Sequence, residues 1–421
     1  MQFVVGRGIS AIEHWAACGR MSGHHRDCAV RSLRYRSCPV KPNFPRLPLV
    51  GTAVLLVAAS VQARADNQTV VLVGHAAPLT GQLANMGKDS ENAARLAIDE
   101  INSRHPVVGG KPVRFQLDSQ DDAADPRTGT QIAQKLVDDG VVAVVGDINS
   151  GVSIPASRIY RDANVTQISQ GSTNPVFTQQ GYKTAFRLVA TDAMQGPALA
   201  RYAIGTLHAT RIAVIDDSTA YGQGLANEFE QAAKASGARI VTREATNDKA
   251  IDFRAILTKV KGLQPDVIMY GGSDATAGPL VKQAANLGIR ARVLGGDGAC
   301  TDKMVGLAGD AIDNLVCSEA GLPLSKMPKG QDFSNRYVAR YRTRIDAYAP
   351  FAYDAVYVIY DAIQRAGSID RAKVLAAMPS TQYDGVTGTI SFDAHGDLKH
   401  AAISIYQFKD RKKTVADVVR M

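Results

Sequence analysis

The sequence predicts an α/β protein built as two doubly wound lobes facing each other across a hinged central cleft. Three observations carry that reading. Strand-like and helix-like segments alternate through most of the chain from residue 70 onward. The alternation pauses after residues 186–188 and restarts at similar length, as two separate units would. Within the first unit, residues 141–145 (VVAVV) and 165–168 (VTQI) flank a helix-compatible segment, 153–162. Strand, helix, strand at that spacing is a parallel crossover, which puts the loops after both strands on one carboxyl edge. Open α/β sheets bind ligands at that edge.

Taken in order, residues 70–73 read as the first strand. Residues 90–102 read as a helix with Ala93, Ala94, Ala97, Ile98 and Ile101 on one face. A strand at 113–117 and a helix at 130–139 lead into the crossover. After 186–188 come a helix at 195–207, a strand at 211–215, a helix at 225–235 closed by Gly237 and a strand at 239–242. A helix at 253–261, a strand at 267–270, a helix at 277–287 closed by Gly288 and a strand at 293–294 complete the second unit. Helices at 332–341, 355–366 and 374–378 follow, and 387–392 with 403–408 read as two antiparallel strands across 393–397. The expected division is 1–65 as extension and signal, 66–191 as lobe one and 192–319 as lobe two. Residues 320–392 then complete lobe one, and 393–421 return to lobe two. A chain that crosses between lobes more than once is expected to close about a hinge.

Residues 47–61 (LPLVGTAVLLVAASV) form an apolar run closed by Ala63-Arg64-Ala65 and followed by Asp66-Asn67-Gln68, the pattern of a secretory signal cleaved after Ala65. A transmembrane anchor is the alternative, but it needs ~20 apolar residues, more than this run supplies. Residues 1–46 precede the run with little periodicity, longer than the basic opening of a signal, and point to a start codon further along the chain. Cys18, Cys28 and Cys38 lie there with His14, His24 and His25, at a spacing that fits no zinc pattern.

That prefix also distorts the charge. It holds nine of the 48 Lys and Arg and two of the 40 Asp and Glu, leaving 39 basic against 38 acidic residues, a net of +1. The basicity of the whole chain therefore gives no reason to expect nucleic acid. Two cysteines remain, Cys300 and Cys317. In an exported chain such a pair reads as a disulfide, with two buried free thiols as the alternative.

The strand-end loops carry the candidate site. Ser150, Ser172 and Thr173 are short donors and acceptors, and Ser150 stands just before a helix, where free N–H groups and the dipole favour an anion such as a carboxylate. In the second unit, residues 216–224 follow a strand and open a helix; Tyr221 projects a ring into the cleft or belongs to an ordinary surface turn. Gly271-Gly272-Ser273-Asp274 and Gly295-Gly296-Asp297-Gly298 follow the next two strands, where glycines admit a ligand to the backbone or make turns. Asp297, a lone carboxylate among glycines, holds a cation or simply turns the chain. Enzymatic patterns are missing: no G-x-G-x-x-G after a strand, no G-x-x-x-x-G-K-[ST], no H-E-x-x-H and no G-x-S-x-G. His75, His105, His208, His395 and His400 are scattered, and binding without chemistry, cofactor or metal is the simpler account.

Ordered motifs then point to a family. They are Gly74-His75-Ala76-Ala77-Pro78-Leu79-Thr80-Gly81, Ala94-Arg95-Leu96-Ala97-Ile98-Asp99-Glu100-Ile101-Asn102, Asp121-Asp122 with Asp125-Pro126, and Pro155-Ala156-Ser157. Ser172-Thr173-Asn174-Pro175, Asp192 with Gln195-Gly196-Pro197, Tyr221-Gly222-Gln223-Gly224 and Gly396-Asp397-Leu398-Lys399 continue the series. Over nearly its whole length from residue 66 the chain resembles the periplasmic leucine/isoleucine/valine-binding proteins of bacterial ABC importers, of the type I periplasmic-binding fold.

The resemblance implies a periplasmic monomer, not an enzyme, that captures an amino acid and delivers it to an inner-membrane ABC permease. It places the ligand's carboxylate at Ser150 and Thr173. It places the ammonium at the Thr173 hydroxyl, a carbonyl near Gly171 and an acidic residue of the second lobe, here Asp297 where the family commonly has Glu. The shorter arm sets the charge back by one methylene, so the cleft closes further or a water bridges. Tyr221 matches a family tyrosine that covers the ligand. Met86 and Ser273 stand where the best-known members carry aromatic rings, which reshapes the side-chain pocket and leaves open another amino acid or an amide. A ligand-binding sensor module is the alternative from a different class. Ala124 and Asn149 stand where those members have a disulfide in the first lobe, leaving Cys300 and Cys317 to form one in the second.

Overall fold

A computed structural model describes residues 68–420. The signal segment, its cleavage position and the early cysteines and histidines lie outside that range. The described residues open with β1 (Thr69–Ala77), α1 (Ala84–Ser103), β2 (Val107–Val108), β3 (Lys111–Asp121), α2 (Pro126–Asp138) and β4 (Ala143–Val145). It continues α3 (Ser150–Asp162), β5 (Thr166–Ser169), α4 (Val176–Gln179) and β6 (Ala185–Arg187). These strands make one six-stranded sheet in the order β2-β3-β1-β4-β5-β6, parallel except where β2 joins β3.

The second unit runs α5 (Asp192–Gly205), β7 (Arg211–Asp216), α6 (Ala220–Ala235), β8 (Arg239–Ala245), α7 (Arg254–Gly262) and β9 (Val267–Gly271). After it come α8 (Asp274–Asn286), β10 (Arg292–Gly295), α9 (Met304–Ala308) and β11 (Leu315–Glu319). The remainder is α10 (Gly330–Tyr341), α11 (Ala349–Ala366), α12 (Arg371–Ala377), β12 (Tyr383–Asp384), β13 (Thr389–Ile390), β14 (Ala402–Lys409) and β15 (Lys412–Arg420). The second sheet has the order β15-β14-β11-β10-β9-β7-β8, with β14 antiparallel to both its neighbours, β11 and β15, and every other pair parallel. No helix among the described residues is long and apolar enough to cross a membrane.

Both sheets have helices over them, so their central strands are buried on both faces. Every residue of β4, β5 and β9 is buried, as parallel strands between helical layers require. Helix α1 puts Ala93, Ala94, Ala97, Ile98 and Ile101 into the first core and packs against α11, itself buried over most of its circumference. Thus a late segment of the chain completes the first sheet's outer layer, while β14 and β15 extend the second. The segments leaving β6 and β11 run side by side, the Ala190 N–H donating to Ala320 O at 3.0 Å.

Helices α1, α3, α5, α6 and α8 each begin three to six residues before the apolar periodicity indicates. Periodicity marks only the face turned to the core, whereas first turns here are polar and face the sheet edge. In α3, α5 and α8 a proline stands at the sixth position (Pro155, Pro197, Pro279). It cannot bond back to the second residue's carbonyl, which leaves that one carbonyl without its helical donor.

The expected hairpin of 387–392 with 403–408 does not form. Segment 393–397 turns back only far enough for a single bridge between Phe392 and Leu398, and β13 pairs with β12. The alternating pattern of 403–408 is satisfied by β11 on one side and by β15, an unforeseen strand, on the other. A strand's pattern fixes which face is buried and not which neighbour it takes.

Candidate functional site

Strand order locates the site. In the first sheet it reverses between β1 and β4, and in the second between β7 and β9, so the loops leaving these strands part and open a crevice. Met86 follows β1, Ser150 follows β4 and Gly171 follows β5; Tyr221 follows β7, Ser273 follows β9 and Asp297 follows β10. Two crevices face each other. Asn174 Nδ2 in the first donates to Ala220 O in the second at 2.7 Å, and Lys303 Nζ reaches Gln82 O at 2.8 Å.

On the first sheet's side, Ser150 is the first residue of α3 rather than the residue before it, so the helix's unpaired N–H groups start at Ser150 itself. Its hydroxyl accepts from Ser172 Oγ and from the Asn174 N–H, both at 3.3 Å. The 172–174 loop is fixed from behind by Arg187, wholly buried, which donates to Ser172 O at 2.7 Å, Asn174 O at 3.0 Å and Thr178 Oγ1 at 2.7 Å. Asp397 balances that guanidinium at 2.5 Å. With carbonyls drawn toward Arg187, the loop presents its other polar groups elsewhere. The Thr173 hydroxyl is buried and has no hydrogen-bond partner among the described residues.

On the second sheet's side, Asp297 is buried and bonded on both oxygens. Gln195 Nε2 and the Tyr221 hydroxyl donate to Oδ1, each at 2.9 Å, and the Tyr348 hydroxyl donates to Oδ2 at 2.9 Å. Burial raises its pKa, against the pull of these donors. Tyr348 reaches the cleft from the segment just before α11. Asp89 of α1 positions it by accepting the backbone N–H groups of Asp346, Ala347, Tyr348 and Ala349. Burial pushes Asp89 up to about 6 even with those donors. Gly171 lets the Tyr348 ring approach: a Cβ there would lie 2.9 Å from Ile148 Cγ2 and 3.2 Å from the ring.

Between the two sides is a cavity of about 20 Å³, the size of one water, lined by Met86, Ser150, Gly171, Tyr221, Ser273 and Asp297. Of the residues singled out from sequence, these six share the cavity; Ser172 and Thr173 stand behind it. Tyr348, Ile148, Asn149 and Gly298 complete the wall. Sequence reasoning missed Tyr348, which lies 51 residues from its partner Asp297 with nothing local to mark it. It also missed the role of Gln195, although the Gln195-Gly196-Pro197 match was a signal. Beyond Tyr348 and Asp297, which form the shared wall, a second cavity of about 430 Å³ runs past Gly321, Leu322 and Ile345. Cys300, three residues after Asp297, is joined by a disulfide to Cys317 in β11, so the turn carrying the carboxylate is tied to the sheet.

The family model described as periplasmic binding protein matches residues 70–413. The Leu/Ile/Val-binding protein homolog 1 of Brucella abortus is 33% identical over 343 residues, 80% of this chain and 90% of the relative. A leucine-, isoleucine-, valine-, threonine- and alanine-binding protein of Pseudomonas aeruginosa is 33% identical over 361 residues, 85% of this chain and 94% of its own. Among solved structures, the branched-chain amino acid transporter substrate-binding protein of Streptococcus pneumoniae, in complex with isoleucine, superposes with a TM-score of 0.77 at 27% identity. It covers 84% of this chain and 100% of its own. A leucine-binding protein of Thermotoga maritima also gives 0.77 at 27% identity, over 83% and 98%. Two lobes of this topology, a cleft at both switch points and these matches over most of the chain agree: the protein belongs to the periplasmic leucine/isoleucine/valine-binding protein family.

Proposed function

We propose that the protein is a periplasmic solute-binding protein that captures a free amino acid, branched-chain aliphatic in the first instance, and delivers it to an inner-membrane ABC permease. One observation carries the reading. The cleft sets a helix N-terminus with the Ser150 hydroxyl opposite a buried carboxylate, Asp297, across a small cavity with Met86 and Ile148 in its wall. A carboxylate on one side, an ammonium on the other and an apolar tail between them is the complement. The ligand-binding roles of Met86, Ser150, Gly171, Ser172, Thr173, Tyr221, Ser273 and Asp297 are part of this proposal. The amino acids named for the Brucella, Pseudomonas and Streptococcus relatives support it.

A volume of about 20 Å³ holds no amino acid, so capture starts with the lobes parted or with Tyr348 displaced. Displacing Tyr348 would join the site to the 430 Å³ cavity, which favours a second reading: a longer or amide side chain in place of an aliphatic one. Export by the signal sequence and a monomeric state belong to the same proposal. Titration calorimetry of the mature protein with leucine, isoleucine, valine, glutamine and methionine tests it, with 4-methylpentanoate as the amine-free control. Leucine or isoleucine binding far above the control supports the first reading; preference for glutamine or methionine supports the second. Tight binding of the amine-free acid would refute both.

A further inference from the structure

A second carboxyl, Asp192, is wholly buried beside Asp297 and does not line the cavity. It opens α5, and its Oδ1 lies 3.4 Å from Gln195 Nε2, the same nitrogen that donates to Asp297 Oδ1 at 2.9 Å. The amide cannot be turned over, because Gln195 Oε1 accepts from the Asp297 N–H at 3.2 Å and from Ser318 Oγ at 2.7 Å. One fixed amide therefore joins two acids. They differ in what surrounds them. Asp297 has three donors, which suit a carboxylate, whereas Asp192 Oδ2 has no partner among the described residues. The Thr173 hydroxyl beside it has no other partner among the described residues, so it can donate to Oδ2 when Asp192 is ionised and accept from it when Asp192 is protonated.

We propose that Asp192 is a positioning residue for ligand capture: it carries one proton beside an ionised Asp297 and gives that proton up when an amino-acid ammonium binds Asp297. The inference rests on the ammonium role proposed for Asp297. Burial first, and the Asp297 charge second, push Asp192 to about 8, while Thr173, Arg187 and Gln195 pull it down. The other ionisable groups facing the pair are a guanidinium and two phenols. Arg187, from β6, is engaged by Asp397 and the 172–174 loop, with Asp393 near it. The phenols of Tyr221, from α6, and Tyr348, before α11, are pushed well up by burial and then by the Asp297 charge. Asp346 and Asp274 face Tyr348 rather than Asp192. A neutral Asp192 keeps a single negative charge at the site. An incoming ammonium offsets the Asp297 charge that holds Asp192 up, which lowers the pKa of Asp192. Binding therefore releases protons in the window below about pH 8, and affinity rises with pH across it.

Calorimetry with leucine, repeated at one pH in buffers of different ionisation heat, counts the protons. At about pH 7.5 the wild type should release a substantial fraction of one proton, and its affinity should rise about tenfold for each unit by which the amine lowers Asp192. An unprotonated ligand amine would take a proton up on binding, which is the opposite sign. Asp192→Asn, isosteric with the protonated acid, should bind leucine with no proton release and a flat profile from about pH 6.5 to 8. Leucine binding to the wild type without proton release, or release that persists in Asp192→Asn, overturns this inference alone. If the wild type does not bind leucine at all, the ammonium reading of Asp297 falls and this inference with it.

Discussion

Replacing Asp297 by Asn isolates one charge. The side chain accepts two hydrogen bonds on Oδ1, from Gln195 and Tyr221, and one on Oδ2, from Tyr348. An asparagine keeps Oδ1 for the first two and can donate through Nδ2 to the Tyr348 oxygen, so only the Tyr348 O–H must turn to another acceptor. What disappears is the counter-charge to a ligand ammonium in a closed, desolvated cleft. Truncations of that kind cost ~2–5 kcal/mol, and at about 1.4 kcal/mol per decade leucine affinity should fall roughly thirtyfold to several thousandfold. Stability should move the other way. Burial raises the folded pKa of Asp297 above its ordinary value of 3.8, so the ionised carboxylate opposes folding once the pH exceeds that value. Asp297→Asn should therefore melt, without ligand, at or above the wild-type temperature near neutral pH. The gap should close as pH falls through the folded pKa. Calorimetry and ligand-free thermal melts at two pH values make the measurement. Wild-type leucine affinity in Asp297→Asn would refute the ammonium assignment.

Two further predictions concern closure and covalent support. A Cβ at Gly224 would lie 2.4 Å from Asn174 Nδ2, which donates across the cleft to Ala220 O, so Gly224→Ala should break that bond and lower leucine affinity about three- to tenfold. Because Gly224 is inside α6, where alanine is the better helix former by about 1 kcal/mol, the ligand-free melting temperature should hold or rise; unchanged affinity would show that the lobes close another way. The Cys300–Cys317 bond spans 17 residues, and Cys300→Ala with Cys317→Ala should lose ~3 kcal/mol in urea unfolding by the chain-entropy model. Two titratable thiols in the denatured, unreduced protein would contradict the pairing.

The alternation of strands and helices was legible because parallel strands buried on both faces are short apolar runs, such as 141–145, and their helices show one apolar face. The loops bearing Ser150, Gly171, Tyr221, Ser273 and Asp297 were legible for a related reason: polar and glycine-rich residues directly after a buried strand have few other uses in this architecture. Helix starts were misjudged, since the first turns of α3, α5, α6 and α8 contain the polar residues that face the cleft and carry no apolar period. The partner of 403–408 was misjudged because alternation is silent about neighbours.

The sequence by itself determined the class of fold, the two units and most of the cavity wall, which follow from local burial pattern and strand-end chemistry and, for Met86, from the family resemblance. Only the tertiary structure decided which distant groups act together. Tyr348 meets Asp297 because Asp89, on α1, gathers the backbone N–H groups at the start of α11. Arg187 aims the 172–174 loop through carbonyls that no side-chain pattern records, and Gln195, 102 residues from Asp297, couples that carboxylate to Asp192. A buried polar atom must find its partner wherever the chain brings one, and sequence spacing says nothing of where that is.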